Sequence, residues 1–425
     1  MKKMRLIRVL GTTSLFLVST VLAIPISNYN RPYDVDFRQR TFDKKTKFMV
    51  GASVETGASR MGYDEDSNKT GILNTYSEQQ SAIAAFKGAS SGSAIANFLS
   101  TTISNASDSD NIRGNLRVDG KFAQTDITLW GKYKLPLGQI PGTFYLGMYL
   151  PIRSASVTEV TWHDKTQYAN ASDLSVHEHL TDHLSSVILQ YGSLNIGSWS
   201  TTAPGDLTAM VGWYKEFVQN REALKGVTIQ TRLGISFPSG IQHNEDIAFS
   251  LPTGNDGAVG IPLSLGLDAD FVYGVSAGLD VTYLGLFNVN RERRLMTDLT
   301  QSDYLLLTKG KAIKVQASIW NFNLYCKLAK IIKGFEIFAE YQFAKQDESN
   351  LYPEGDDFSY FIVNSAQSIQ EWSYHNIITR TSLDLRHMMG NKRFAPRIDA
   401  YAKFPIMGKR VMTALTYGLN LSVAF

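Results

Sequence analysis

The closing stretch Thr413–Phe425, TALTYGLNLSVAF, decides how this 425-residue chain is read. Counting back from Phe425 in twos gives Val423, Leu421, Leu419, Tyr417 and Leu415. The residues between are Ala424, Ser422, Asn420, Gly418, Thr416 and Ala414. One face is apolar and the other small or polar, at period 2, which predicts a β-strand. The apolar face runs to the last residue, so the fold turns on what that face meets.

The same alternation recurs upstream. Residues 48–54 set Phe48, Val50, Ala52 and Val54 on one face, and 125–135 set Ile127, Leu129 and Tyr133 against Thr128, Trp130, Lys132 and Lys134. Residues 227–237, 261–271, 275–287 and 335–343 repeat the pattern. With 143–162, 205–217, 313–325, 373–386, 397–405 and 410–425 there are twelve candidate strands. A strand-like stretch at 185–199 leaves fourteen open. Connections alternate between short ones, near 136–142, 218–226, 272–273, 328–334 and 387–396, and long ones, near 57–121, 163–204, 238–258, 288–311 and 346–372. The last loop, 405–409, is short. Short turns on one side and long loops on the other is the asymmetry of an outer-membrane barrel, with both termini on the short-turn side.

The amino terminus is consistent with export. Lys2, Lys3, Arg5 and Arg8 precede an apolar run from Val9 to Leu22, and Ala23 offers a small residue for cleavage. This predicts a signal peptide over 1–23, a periplasmic segment over 24–46 and a barrel over 47–425. The signal takes four of the 42 basic residues and none of the 39 acidic ones, which leaves a net charge of −1. Nothing in that balance calls for nucleic acid. Cys326 is the single cysteine, so no internal disulfide holds this exported chain. After Ala23 no apolar 18-mer occurs, so a span has to be made of strands.

A soluble sandwich shares this alternation but would set its polar face against water. Here that face is rich in Gly, Ala and Ser as well as charge, as a crowded barrel interior requires. Aromatics bound the apolar faces, at Phe425 with Tyr417, Tyr283 with Phe287, and Phe335 with Phe343. Eight residues at ~3.3 Å, tilted by ~40°, cover roughly 20 Å, close to a lipid-facing band of ~25 Å. Twelve strands left open would expose two edges, and in lipid every unpaired backbone group is costly, so the sheet must close.

Residues 416–425 resemble the C-terminal assembly signal of Gram-negative outer-membrane β-barrels, with Gly418, Leu421, Val423 and the final aromatic Phe425 at the matching positions. The resemblance implies an outer-membrane location, with lipid and the barrel-assembly machinery as partners. Hairpins over 123–290, with Asp126, Asp206 and LGISFPSG at 233–240, are similar to FadL-like and phenol-degradation-type porins. The chain lacks the Asn-Pro-Ala start of that family's N-terminal plug.

Few residues suggest chemistry. His177, His179 and His183 lie in VHEHLTDH at 176–183, where a helix would align only 179 with 183. That is only two ligands, so a histidine-rich polar external loop is the preferred reading and no metal is expected. No nucleophile stands beside His375 or His387, so neither an enzyme nor a cofactor is expected. The small-residue segment 77–104 is expected either to fold back into the lumen or to cap it from outside.

The inward faces carry the candidate transport path: Lys132, Lys134, Arg232, Asp268, Asp280, Glu336, Glu340, Arg380 and Asp384, with Glu55, Asp270, Lys314, Arg386, Asp399 and Lys403 also predicted inside. The reading is a porin-like channel for a small polar solute or ion. Two alternatives stand beside it: a non-conducting barrel whose loops bind a partner, and FadL-like transport of a hydrophobic molecule.

Overall fold

The structure, a computed structural model, describes residues 31–34, 42, 46–102, 113–137, 140–167, 171–329, 332–386 and 395–425. The segment expected to be a signal peptide lies outside the described residues.

Twelve strands form one closed antiparallel barrel. They are β1 Phe48–Tyr63, β2 Asn115–Lys134, β3 Thr143–Asp164, β4 Leu207–Val218, β5 Leu224–Phe237, β6 Gly260–Phe271, β7 Val275–Leu286, β8 Ile319–Ala329, β9 Phe335–Gln346, β10 Trp372–Asp384, β11 Ala395–Lys409 and β12 Val411–Ala424. Each pairs with its neighbour in sequence, and β1 closes the ring on β12 with Val54 opposite Leu419. Phe425 prolongs that seam: its N–H donates to the Phe48 carbonyl, and its carbonyl accepts from the N–H groups of Lys47 and Phe48 at 3.0 and 2.9 Å. Closure leaves no unpaired edge, the condition for crossing lipid with strands.

The outward face is the apolar one. Leu233, Leu265 and Leu324 are more than half exposed, and Val50, Leu129, Met148, Leu421 and Val423 share that face. Aromatics ring both ends. Phe48, Tyr133 and Phe425 cluster on the short-turn side, Phe48 lying 4.8 Å from Tyr133 and 6.0 Å from Phe425 between ring centres. Tyr283, Trp320, Phe322, Phe343 and His375 run around the opposite rim on β7–β10. This is a transmembrane β-barrel with its aromatic girdles.

The long loops fold together over the far mouth as a cap with its own apolar cores. One core gathers Ile83, Phe86, Phe98, Leu180, Leu184, Ile188 and Leu305. A small sheet of Val289–Arg294, Lys309–Val315 and Asn350–Pro353 stands among the loops. A buried Arg113–Asp173 pair at 2.6 Å joins the first loop to the second.

Several boundaries differ from the sequence reading. Of the stretch at 185–199 only Trp199 is in a strand, the short Trp199–Pro204 paired with β3; Leu184–Gly192 is a helix, burying Leu184 and Ile188 one turn apart in the cap core. Its short apolar run fits either period, and packing selected the helix. Residues 313–315 belong to the cap sheet, and β8 starts at Ile319, so Lys314 is not a lumen residue. The first loop is shorter than 57–121, because β1 runs to Tyr63 and β2 starts at Asn115. The connection at 405–409 vanishes into β11, leaving Arg410 at φ 49° as the whole turn.

Candidate functional site

Alternate residues of every strand point into the barrel, and together they nearly fill it. The packing is uneven around the ring. On the β5–β9 side, inward side chains bond to one another along the wall. Asn323 donates to Asp280 at 2.6 Å, Gln342 to Asn323 at 3.1 Å, and Asn376 of β10 to Gln342 at 2.9 Å. Tyr325 donates to Asp268, its ring lying over Gly278 where a Cβ would clash. Arg232, Ser264, Asp280 and Asn321 are almost wholly shielded. An amide and carboxylate ladder of this kind satisfies buried polar groups at the cost of open space.

The described residues of the N-terminal segment also lie in this interior. Tyr33 is fully buried, stacked edge-on against Tyr149 of β3 at 6.4 Å. Arg232 Nη1 donates to the Tyr33 carbonyl at 2.8 Å, and its guanidinium sits 5.6 Å from the Tyr33 ring centre. Farther toward the short turns, the Tyr214 hydroxyl donates to the Phe42 carbonyl at 3.2 Å, and Phe42 packs against Tyr145. Tyr33 and Phe42, from the segment expected in the periplasm, thus lie inside the barrel toward its short-turn end.

The opposite side, over β1–β3 and β9–β12, keeps open surface at several of its charged residues. Arg153 holds Asp126 through two bonds, at 2.8 and 3.4 Å. Lys403 pairs with Glu55 at 2.5 Å, and the Tyr401 hydroxyl donates to the same carboxylate at 2.8 Å. Arg397 bridges Glu336 at 3.0 Å and Asp399 at 2.9 Å. The Lys403 and Glu55 side chains retain 30% and 22% of their surface. These faces look inward, so that surface borders the lumen. Pairing runs between nearby strands, not across the bore.

Arg380 breaks the balance. Among the described residues it enters no ion pair; its guanidinium lies 5.3 Å from the Tyr401 ring centre, and its Nε has no hydrogen-bond partner.

The sequence-predicted path residues therefore separate into two groups. Glu336, Arg380 and Asp384 lie on the accessible side, Asp384 gripping Arg386 at 2.7 Å. Arg232, Asp268, Asp280 and Glu340 are shielded on the filled side. Lys132 is buried between the rings of Trp130 and Tyr145, 5.9 and 5.0 Å from their centres, and Lys134 follows it toward the short-turn rim. Sequence reasoning missed Arg153, Tyr401 and Tyr33. Arg153 was visible as a charge at an inward position of β3, whereas nothing local to Tyr33 marked it for the interior.

The Ala94–Thr102 helix packs Phe98 against Phe86 and Tyr191 of the loops. The three loop histidines diverge: His177 meets Thr181 and Asp164, His179 meets the Ser175 carbonyl, and His183 approaches Asp182. In the strand signal, Leu421, Val423 and Phe425 face outward, and Gly418 receives the Tyr401 ring, leaving no room for a Cβ.

No protein-family model matches this chain, and no curated protein matches it. Among solved structures the chain is similar to an outer membrane channel from Pseudomonas putida F1, at 9% identity over 89% of this chain and 96% of that one, with a TM-score of 0.49. It is also similar to the toluene transporter TodX of Pseudomonas putida (8% identity, 95% and 96% covered, TM-score 0.34). A third is a FadL homologue of Pseudomonas aeruginosa (9% identity, 95% and 99% covered, TM-score 0.29).

Proposed function

We propose that this protein is an outer-membrane channel that passes small solutes passively along one side of a largely filled barrel. The chain is exported by its N-terminal signal, meets the assembly machinery through its last strand, and sits in lipid with its short turns in the periplasm. One observation carries the reading: inside an apolar, belted barrel, the Arg153–Asp126, Lys403–Glu55 and Arg397–Glu336 pairs of β1–β3 and β9–β11 keep open surface, while Arg232, Asp268 and Asp280 of β5–β7 do not. A purely structural barrel gains nothing from accessible charge in its bore, because burying such pairs completely is what a sealed interior does. No chemical step is asked of the protein.

Liposome swelling with sugars and amino acids of graded size tests this. The expected result is uptake of the smallest solutes and exclusion of those that open porins admit. Uptake of none, by liposomes holding heat-modifiable folded protein, overturns it.

A further inference from the structure

A cavity of about 200 Å³ lies among the loops, bounded on the barrel side by Val157 of β3 and Met412 of β12. That is far above the ~10–15 Å³ that holds one water, and below the ~300–1,000 Å³ of sites for drug-sized ligands. One wall is apolar and aromatic: Leu73, Tyr76, Phe249 and Tyr304 line it, with ring centres of Tyr304 lying 5.7 Å from Tyr76 and 5.1 Å from Phe249. The other wall is cationic. Arg291 and Arg293 from Val289–Arg294 and Lys314 from the paired strand converge there.

Two carboxylates answer those three cations from the loop between β5 and β6. Asp256 takes Arg291 at 2.9 Å and Arg293 at 3.2 Å, and Glu245 takes Arg291 at 3.1 Å. Arg293 is only 7% exposed, yet its Nε and Nη2 have no hydrogen-bond partner. Lys314 is in no ion pair among the described residues. Asp303, on the far side, is occupied by the N–H groups of Gln367 and Ser368 at 3.1 and 2.9 Å. Buried guanidinium N–H groups left without acceptors are costly, and a ligand oxygen at that point would satisfy them with charge-assisted bonds.

We infer that this cavity binds a small aromatic monocarboxylate, its ring against Tyr76, Phe249 and Tyr304 and its carboxylate at Arg293 and Lys314. The compact volume and the run of aromatic faces favour a ring over a long acyl chain. A role as a capture site ahead of the barrel rests on the channel reading; the binding itself does not. Burial and the neighbouring guanidinium groups push the Lys314 ammonium down to about 8. The charged and titratable groups around it are Asp256, Glu245 and His243 from the β5–β6 loop, Arg291, Arg293 and Arg294 from the paired strand, Asp303, Tyr304 and Tyr76. Above that pH the site loses one cation, so carboxylate binding weakens as pH rises through 8, whereas binding of a neutral ring does not.

Calorimetry on the full chain in detergent, with benzoate, benzyl alcohol and octanoate as probes, decides it. Benzoate is expected to bind, with benzyl alcohol and octanoate each weaker by roughly tenfold or more. Lys314→Met, which breaks no ion pair though it takes a neighbouring cation from Asp256, should weaken benzoate by a similar factor and abolish the pH dependence. Leu73→Trp, which fills the cavity, should abolish binding while heat-modifiable migration persists. Equal binding of benzoate and benzyl alcohol, octanoate as tight as benzoate, or unchanged affinity in both variants overturns the assignment. Benzoate binding without solute uptake would sink the channel reading and leave this site standing; uptake without binding would do the reverse.

Discussion

Among the described residues, Arg380 is a charge on the accessible side of the bore that enters no ion pair, with the Asp399 carboxylate already held by Arg397. A permeating anion can meet it without first breaking an ion pair, which is not true of Arg153, Lys403 or Arg397. Arg380→Gln is therefore expected to shift the reversal potential under a salt gradient toward cation preference. Neutralising the shielded Lys132 should shift it less. An unchanged potential in the first variant would remove Arg380 from the path. Its inward position was legible, because period 2 assigns every even residue of β10 to the bore. Its isolation was not: that depends on which partners β9 and β11 place beside it, and register across strands is invisible in one strand's pattern.

At the scale of elements, the loop between β5 and β6 is pinned by one carboxylate. Asp206, almost fully buried, accepts the N–H of Gly240 at 2.9 Å and of Asn255 at 2.6 Å, and Gly254 sits where a Cβ would strike that carboxylate. Asp206→Ala leaves two buried N–H groups without acceptors, at about 1–3 kcal/mol each. The loop should become the first site of protease cleavage in an otherwise intact, detergent-folded barrel; wild-type resistance in the variant would contradict this. Loops are also where sequence reading failed. Leu184–Gly192 and Lys309–Val315 have apolar spacings that suit a strand of the wall as well as an element of the cap. Nothing local separates them, because the cap's core is assembled from five distant segments that meet only in three dimensions.

Over the whole molecule, the fold was readable because lipid imposes a single rule on every strand. Each must put an apolar face outward, so twelve weak alternations agree, and length asymmetry of the connections orients them. No such rule governs what fills the bore. Tyr33 and Phe42 arrive there from a segment without periodic pattern, held by contacts to Arg232, Tyr149, Tyr145 and Tyr214 that span more than a hundred residues of sequence. Single-channel conductance in planar bilayers tests the resulting picture of a narrow path beside an occupied interior. The wild-type chain should conduct in small steps, and the Tyr33→Ala, Arg232→Gln double variant, with its N-terminal segment released, in steps severalfold larger. Identical steps from both proteins, or silence from both while each migrates as a folded barrel, would contradict it.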